Sequence, residues 1–287
     1  MKIVIDSGAD LSPEYLKENN VEMVPLKVTL TGKTYLSGVN LNPDQFYDLI
    51  ESTDELPVTA TPSVGEFVQV YEKLAQEDPE ILSIHISSGL SGTYSTAVTA
   101  AEMVKNAEIT VVDSLTLSAG YGWQVEAAIR AVKAGWSKSQ VLPLIKRVAE
   151  STSATFTLPD LKYLIAGGRI SHLKGLLASL LGIKPIIAVS KQDGKYYDKG
   201  KKRSFLKAVE AIPEIIQDQI AKGSAVRAQI CHAGNLEGSH LLVEAMEKVF
   251  KCEWLEPCSI GPALGAHTGR GLIGVICAPA ASFPALP

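Results

Sequence analysis

The groups in this chain best able to do chemistry are hydroxyls gathered at two expected helix starts and one histidine set among glycines. In the first group, Ser87-Ser88-Gly89-Leu90-Ser91-Gly92-Thr93 follows the apolar run Ile81 to Ile86 and leads into the helical pattern Ala97 to Val104. A helix N-terminus leaves backbone N–H groups without intrahelical partners and carries a partial positive charge. Hydroxyls placed there either cap the helix or share those donors with an anion. Four hydroxyls around Gly89 and Gly92, which allow close backbone approach, favour a small-anion site over a single cap. The second group, Thr59-Ala60-Thr61-Pro62-Ser63, precedes a helix opened by Gly65-Glu66-Phe67, and by itself reads as capping. His267 lies in Gly265-Ala266-His267-Thr268-Gly269-Arg270-Gly271. There it is either a core histidine satisfied by a carbonyl or a contact to something that approaches the glycines closely.

Ser91, Asp113 and His267 also fall in the chain order of an α/β-hydrolase triad, with Ser91 at a strand-to-helix turn. A serine hydrolase is therefore the alternative reading. Against it, Gly89-Leu90-Ser91-Gly92-Thr93 lacks the second glycine of G-x-S-x-G, and no His-Gly-Gly-Gly segment is present. Neither G-x-G-x-x-G after a first strand nor G-x-x-x-x-G-K-[ST] occurs, which places a nucleotide enzyme lower still.

The elements that must hold these groups alternate between strand and helix. Ile3-Val4-Ile5 is a strand ending at Asp6-Ser7-Gly8, and Ser12-Pro13 is an N-cap with proline at the first helical position. A strand over Val24 to Leu30, a hairpin at Thr31-Gly32-Lys33 and a helix from Pro43 to Glu51 follow. The helix after Ser63 runs to about Gln76, Ile109 to Ser114 is a further strand, and Ala119 to Ala134 is a helix. This rhythm predicts a largely parallel sheet with right-handed crossovers, whose ligands sit beyond the carboxyl ends of the strands, where the 87–93 turn lies. Between Ser151 and Asp160 the rhythm changes. We therefore expect two α/β domains, residues 1–157 and 158–287. In the second, Leu176 to Leu181 reads as an apolar helix, Ile186 to Val189 as a buried strand and Gln192 to Lys195 as a hairpin turn. Phe205 to Ile220 is a helix, in one or two pieces because of Pro213, followed by a strand at Val226 to Cys231, a helix at Gly238 to Phe250 and a strand at Leu272 to Cys277.

Composition narrows the function classes. The chain has 287 residues and a net charge of -4, without the basic footprint of a nucleic-acid binder. Its one dense basic run, Lys195 to Lys207, reads as a solvated hairpin and helix start or as a docking surface. Cys231, Cys252, Cys258 and Cys277 form no C-x-x-C pair, and the histidines show no metal-ligand spacing, so buried reduced thiols and no metal or other cofactor are expected. Met1 enters a strand pattern at once, leaving no room for a signal peptide's apolar segment, so a cytoplasmic location is expected.

Several stretches together resemble the DegV family of bacterial fatty-acid-binding proteins, which includes the lipid-carrying subunits of fatty acid kinase. They are Asp6-Ser7 with Ala9-Asp10-Leu11, Thr59-Ala60-Thr61-Pro62 with Gly65-Glu66-Phe67, Ser87 to Tyr94, Leu161 to Leu164 with Gly167-Gly168-Arg169-Ile170-Ser171, Ile183 to Ile186, and Gly265 to Gly269. They occur in family order along essentially the whole chain. The resemblance implies two α/β domains with one long-chain fatty acid buried between them, its carboxylate held by Thr59, Ser91 and His267. Ala60-Thr61 stands where the family commonly has Ser-Gln, so Thr61 is also a candidate, as are Ser88 and Gly92 of the central turn. The resemblance further implies a non-catalytic carrier that presents the carboxylate to a separate ATP-dependent kinase for conversion to an acyl phosphate, with Arg169 and Arg203 near the mouth to meet that partner. Physical chemistry asks for the same head-group shell, because an unpaired buried carboxylate is very costly. About 14 buried methylenes at roughly 0.8 kcal/mol each give on the order of 11 kcal/mol gross, so the tail dominates affinity and the head sets register.

Overall fold

The computed structural model describes residues 1–173 and 182–287. The apolar helix expected over 176–181 lies outside the described residues.

The chain opens with β1 (Lys2–Asp6), α1 (Pro13–Glu18), β2 (Val21–Val24), β3 (Lys27–Leu30), β4 (Lys33–Leu36), α2 (Pro43–Glu51), β5 (Val58–Ala60) and α3 (Val64–Ala75). It continues through β6 (Glu80–His85), α4 (Thr93–Met103), β7 (Glu108–Asp113), α5 (Ser118–Lys133), α6 (Lys138–Ser151), β8 (Ser153–Thr157) and α7 (Lys162–Ala166). After a 3₁₀ turn at Arg169–Leu173 come β9 (Lys184–Val189), β10 (Tyr196–Lys202), α8 (Phe205–Ile216), β11 (Ala225–His232) and α9 (Leu236–Glu247). β12 (Lys251–Trp254), β13 (Cys258–Ser259), α10 (Pro262–Thr268) and β14 (Ile273–Pro279) complete it.

The strands form three sheets. β2-β1-β6-β7 is the expected parallel sheet, and β4-β3-β5 is a small antiparallel one. The third runs β10-β9-β8-β14-β11-β12, with β13 also beside β11. It is antiparallel except where β11 meets β12 and β13. β8 belongs to this third sheet, so by hydrogen bonding that sheet begins at Ser153, ahead of the 157/158 break read from the sequence.

Two expectations are corrected. Val24 to Leu30 is two strands in different sheets, because Pro25 has no N–H to continue a ladder; Leu26 N–H instead donates to Ser7 Oγ at 3.0 Å. The helix from Phe205 ends at Ile216, and Pro213 sits inside it without splitting it. Helix α6 does carry a helical spacing in Val141, Leu144, Ile145 and Val148 that marks it in the sequence, whereas strands β12 and β13 and helices α7 and α10 are too short for a periodic signal.

Helix α5 is buried on nearly every side, as its small-residue sequence allows, and packs against β1 of the first sheet and β11 of the third. Its residues join those of both sheets in one continuous apolar core. β10 is an edge strand carrying Lys199, Lys201 and Lys202, charges that discourage pairing with another chain.

Two carboxylates, the buried Asp6 and the half-buried Asp10, lock the first loop to the rest. Asp6 Oδ2 accepts hydrogen bonds from Ile86 N–H at 2.9 Å and meets His85 Nδ1 at 3.0 Å, while Oδ1 accepts from Gly8 N–H at 2.8 Å. His85 continues through Ser83 to the Tyr71 hydroxyl, so a polar chain behind the core fixes where β6 ends and the hydroxyl turn begins. Asp10 Oδ2 accepts from the Ser118 hydroxyl at 2.7 Å and Oδ1 from Gly261 N–H at 2.9 Å, tying the same loop to the starts of α5 and α10.

Burial raises the Asp10 carboxyl from 3.8 to about 7, with the Asp6 charge adding to it against its two hydrogen bonds. The folded protein therefore holds this proton more tightly than the unfolded chain, and Asp10's contribution to stability declines as pH rises from 3.8 to about 7. Asp10→Asn is expected to flatten that part of the stability profile, measured by denaturant unfolding at pH 5 and pH 8.

Candidate functional site

Thr59, Thr61, Ser91, Arg169 and His267 line one cavity of about 80 Å³. They arrive from four places in the fold, each with a local reason. Thr59 is on β5, and the helix after it is capped by Ser63, whose Oγ accepts from Glu66 N–H while Glu66 accepts from Ser63 N–H. Ser63 thus does the capping that the sequence assigned to the whole cluster, which leaves Thr59 and Thr61 free to line the cavity.

The central turn divides its hydroxyls in the same way. Ser87 Oγ donates to Gly194 O at 2.9 Å and holds the β9–β10 hairpin. Ser91 Oγ pairs with Thr93 Oγ1 at 2.9 Å beside the first turn of α4. Ser88 is exposed, with its N–H bonded to Asp113 Oδ1, and Gly92 is the exposed N-cap of α4; neither lines the cavity.

His267 is carried by α10, which starts with Pro262 and lies against α2. A Cβ on Gly265 would stand 2.7 Å from Phe46 Cε1 and 2.8 Å from the Tyr47 oxygen, so glycine is what allows the two helices so close. Tyr47 in turn donates to Ile260 O at 2.9 Å, just ahead of α10. His267 Nε2 lies 2.8 Å from Thr59 Oγ1. Its Nδ1 is buried and has no hydrogen-bond partner among the described residues. Burial, reinforced by the Arg169 charge, lowers the imidazole to about 4, so it is neutral at pH 7. A proton on Nδ1 would be buried without an acceptor, whereas on Nε2 it donates to Thr59 and leaves the threonine hydroxyl to point its own proton into the cavity.

Arg169 is held by two carbonyls, Leu90 O from Nε at 3.1 Å and Gly167 O from Nη1 at 2.6 Å. Arg203 is exposed, immediately before Ser204, the N-cap of α8, and is not among the cavity's lining residues.

Leu117, Tyr196 and Leu264 line this cavity and also an adjoining apolar seam of about 40 Å³. The seam runs between Phe156, Ile260, Leu272 and Ile276. These apolar walls come from segments far apart in the chain, and nothing in their residue types distinguishes them from ordinary core. Asp113 accepts from Ser88 and Leu115 N–H groups, and no hydrogen bond joins it or Ser91 to His267, so no hydrolase triad is assembled. Among the described residues no cluster of metal-ligating side chains is found, and no helix is long and apolar enough to cross a membrane.

The protein is thus a mixed α/β protein with a hydroxyl and imidazole cavity adjoining an apolar seam, set where the parallel sheet's turn meets the third sheet. The DegV family model, described as covering uncharacterised proteins, matches residues 1–280, and the chain belongs to that family. A DegV domain-containing protein of Staphylococcus aureus is 35% identical over 274 residues, 96% of this chain and 97% of its own length. Among solved structures, DegV of Bacillus subtilis, a fatty acid binding protein, matches at a TM-score of 0.86 and 30% identity, covering 97% of this chain and 98% of its own. A stearic-acid-binding protein of Eubacterium ventriosum matches at a TM-score of 0.82 and 26% identity, with 97% and 98% covered.

Proposed function

We propose that this protein carries one long-chain fatty acid, its carboxylate at Thr59, Ser91 and His267 and its acyl chain in the seam beyond Leu117 and Leu264. The observation that carries the reading is the 2.8 Å contact of Thr59 with a neutral His267 in a cavity shared with Ser91 and continuous with apolar walls. A hydroxyl oriented by an imidazole is a ready donor to a carboxylate, and hydrogen bonds to a charged acceptor are the stronger kind. The fatty-acid-binding structure neighbours agree with it. A methylene needs about the room of a water, roughly 30 Å³, so loading a long chain means parting Leu117, Leu264 and Tyr196.

The finer part of the proposal is that the carrier presents the carboxylate to a separate ATP-dependent kinase, with Arg169 at the cavity and Arg203 on the surface serving the encounter. Acyl phosphate formation with such a kinase should then fall in Arg203→Ala while fatty acid binding persists; equal rates would remove Arg203 from the encounter.

Native mass spectrometry of the protein as purified, followed by lipid extraction, tests the carrier role. One fatty acid per chain is expected, with retention falling at least about tenfold in Thr59→Val, which keeps the side-chain shape and removes the hydroxyl. A wild-type chain that neither carries nor takes up a fatty acid overturns the reading.

A further inference from the structure

Tyr196 is the residue where three spaces meet. It lines the head-group cavity, the apolar seam and an open groove of about 550 Å³ beside the β9–β10 hairpin. The residue is 5% exposed, its ring stands edge-on to Phe156 at 5.4 Å, and its backbone is fixed opposite Val189 in the β9–β10 ladder. Everything about the ring is therefore settled by packing. The hydroxyl is different: among the described residues it has no hydrogen-bond partner, and its oxygen is not one of the sealed unpaired atoms, so it reaches one of the spaces that Tyr196 lines. Burial raises its pKa well above the ordinary tyrosine range, with Arg169 acting in the opposite direction, so it is a neutral O–H donor within the field of the guanidinium that also acts on His267.

We propose that the Tyr196 hydroxyl is a further head-group contact, donating to the bound carboxylate at the point where head cavity and acyl seam join. The assignment rests on the carrier reading and extends it. A carboxylate offers two oxygens with about four acceptor sites, more than one threonine hydroxyl and one serine hydroxyl fill. A donor at the seam's entrance also fixes how far the head can slide toward the apolar side.

The test separates this role from a structural one. Tyr196→Phe keeps the ring on Phe156 and removes a hydroxyl with no protein partner, so the ligand-free variant is expected to melt at the wild-type temperature or above it. Equilibrium dialysis of the delipidated proteins is expected to show hexadecanoate binding about tenfold more weakly to Tyr196→Phe, with hexadecan-1-ol binding unchanged. Equal hexadecanoate affinity in both proteins, or an equal loss for acid and alcohol, overturns the assignment and leaves the carrier reading standing. Failure of the wild type to bind hexadecanoate overturns both.

Discussion

Gly167→Ala is expected to weaken fatty acid binding at the proposed head-group site while leaving the fold intact. A Cβ at this position would stand 2.0 Å from His267 Nδ1 and 2.8 Å from Cε1, so the imidazole and the new methyl cannot share the space. Gly167 has φ -76, an ordinary value for alanine, which confines the damage to the contact and adds no backbone strain. The backbone is not free to retreat, since Gly167 N–H bonds Tyr163 O at 2.9 Å and Gly167 O accepts from Arg169 at 2.6 Å. The imidazole must turn away, and its contact with Thr59 goes with it. Fatty acid affinity should drop about 10- to 100-fold, the worth of a hydrogen-bonded group serving a charged partner. In a His267→Ala background the same substitution should cost nothing further in affinity, because the atoms it strikes are gone. An affinity loss of the same size in that background would mean that Gly167 acts by another route.

Gly269→Ala is expected to be the most destabilising single methyl in the vicinity. Gly269 closes α10 at φ 68 and ψ 179, a conformation essentially reserved for glycine. Its absent Cβ would lie 2.4 Å from Tyr163 Cδ2 and 2.5 Å from Cε2. Backbone strain of about 1–3 kcal/mol and overpacking of similar size act together, and urea unfolding should report a loss of about 3 kcal/mol. Tyr163→Ala offers a way to divide it: the double variant should recover the overpacking and keep the backbone cost. Full recovery would show that φ contributes nothing.

The sequence made the strand, turn and helix at 80–103 legible because an apolar run, a cluster of turn residues and a small-residue helix follow one another within it. It made Ser91 and His267 legible as chemistry, but their company depended on the family resemblance. What stayed hidden was pairing across long separations. Nothing in the alternation of Thr155-Phe156-Thr157 says that β8 lies beside β14, or that the third sheet is mostly antiparallel. Hydroxyls also look alike in a sequence: Ser87 secures a hairpin, Ser63 caps a helix and Ser88 faces solvent, while Ser91 lines the cavity. Their division of labour is set by which way each points from its turn, and periodicity carries no such information. Tyr196, inside a basic run, reads as part of a solvated hairpin until β10 turns it inward.

The Thr59–His267 contact joins residues 208 positions apart. The parallel sheet, the hydroxyl turn and the β5 threonine are all synthesised well before His267, and domains fold as their residues emerge. A nascent chain can thus hold a finished sheet and still be unable to grip an acid. On the proposed carrier reading, gripping an acid is therefore a property of the assembled chain and not of its first sheet.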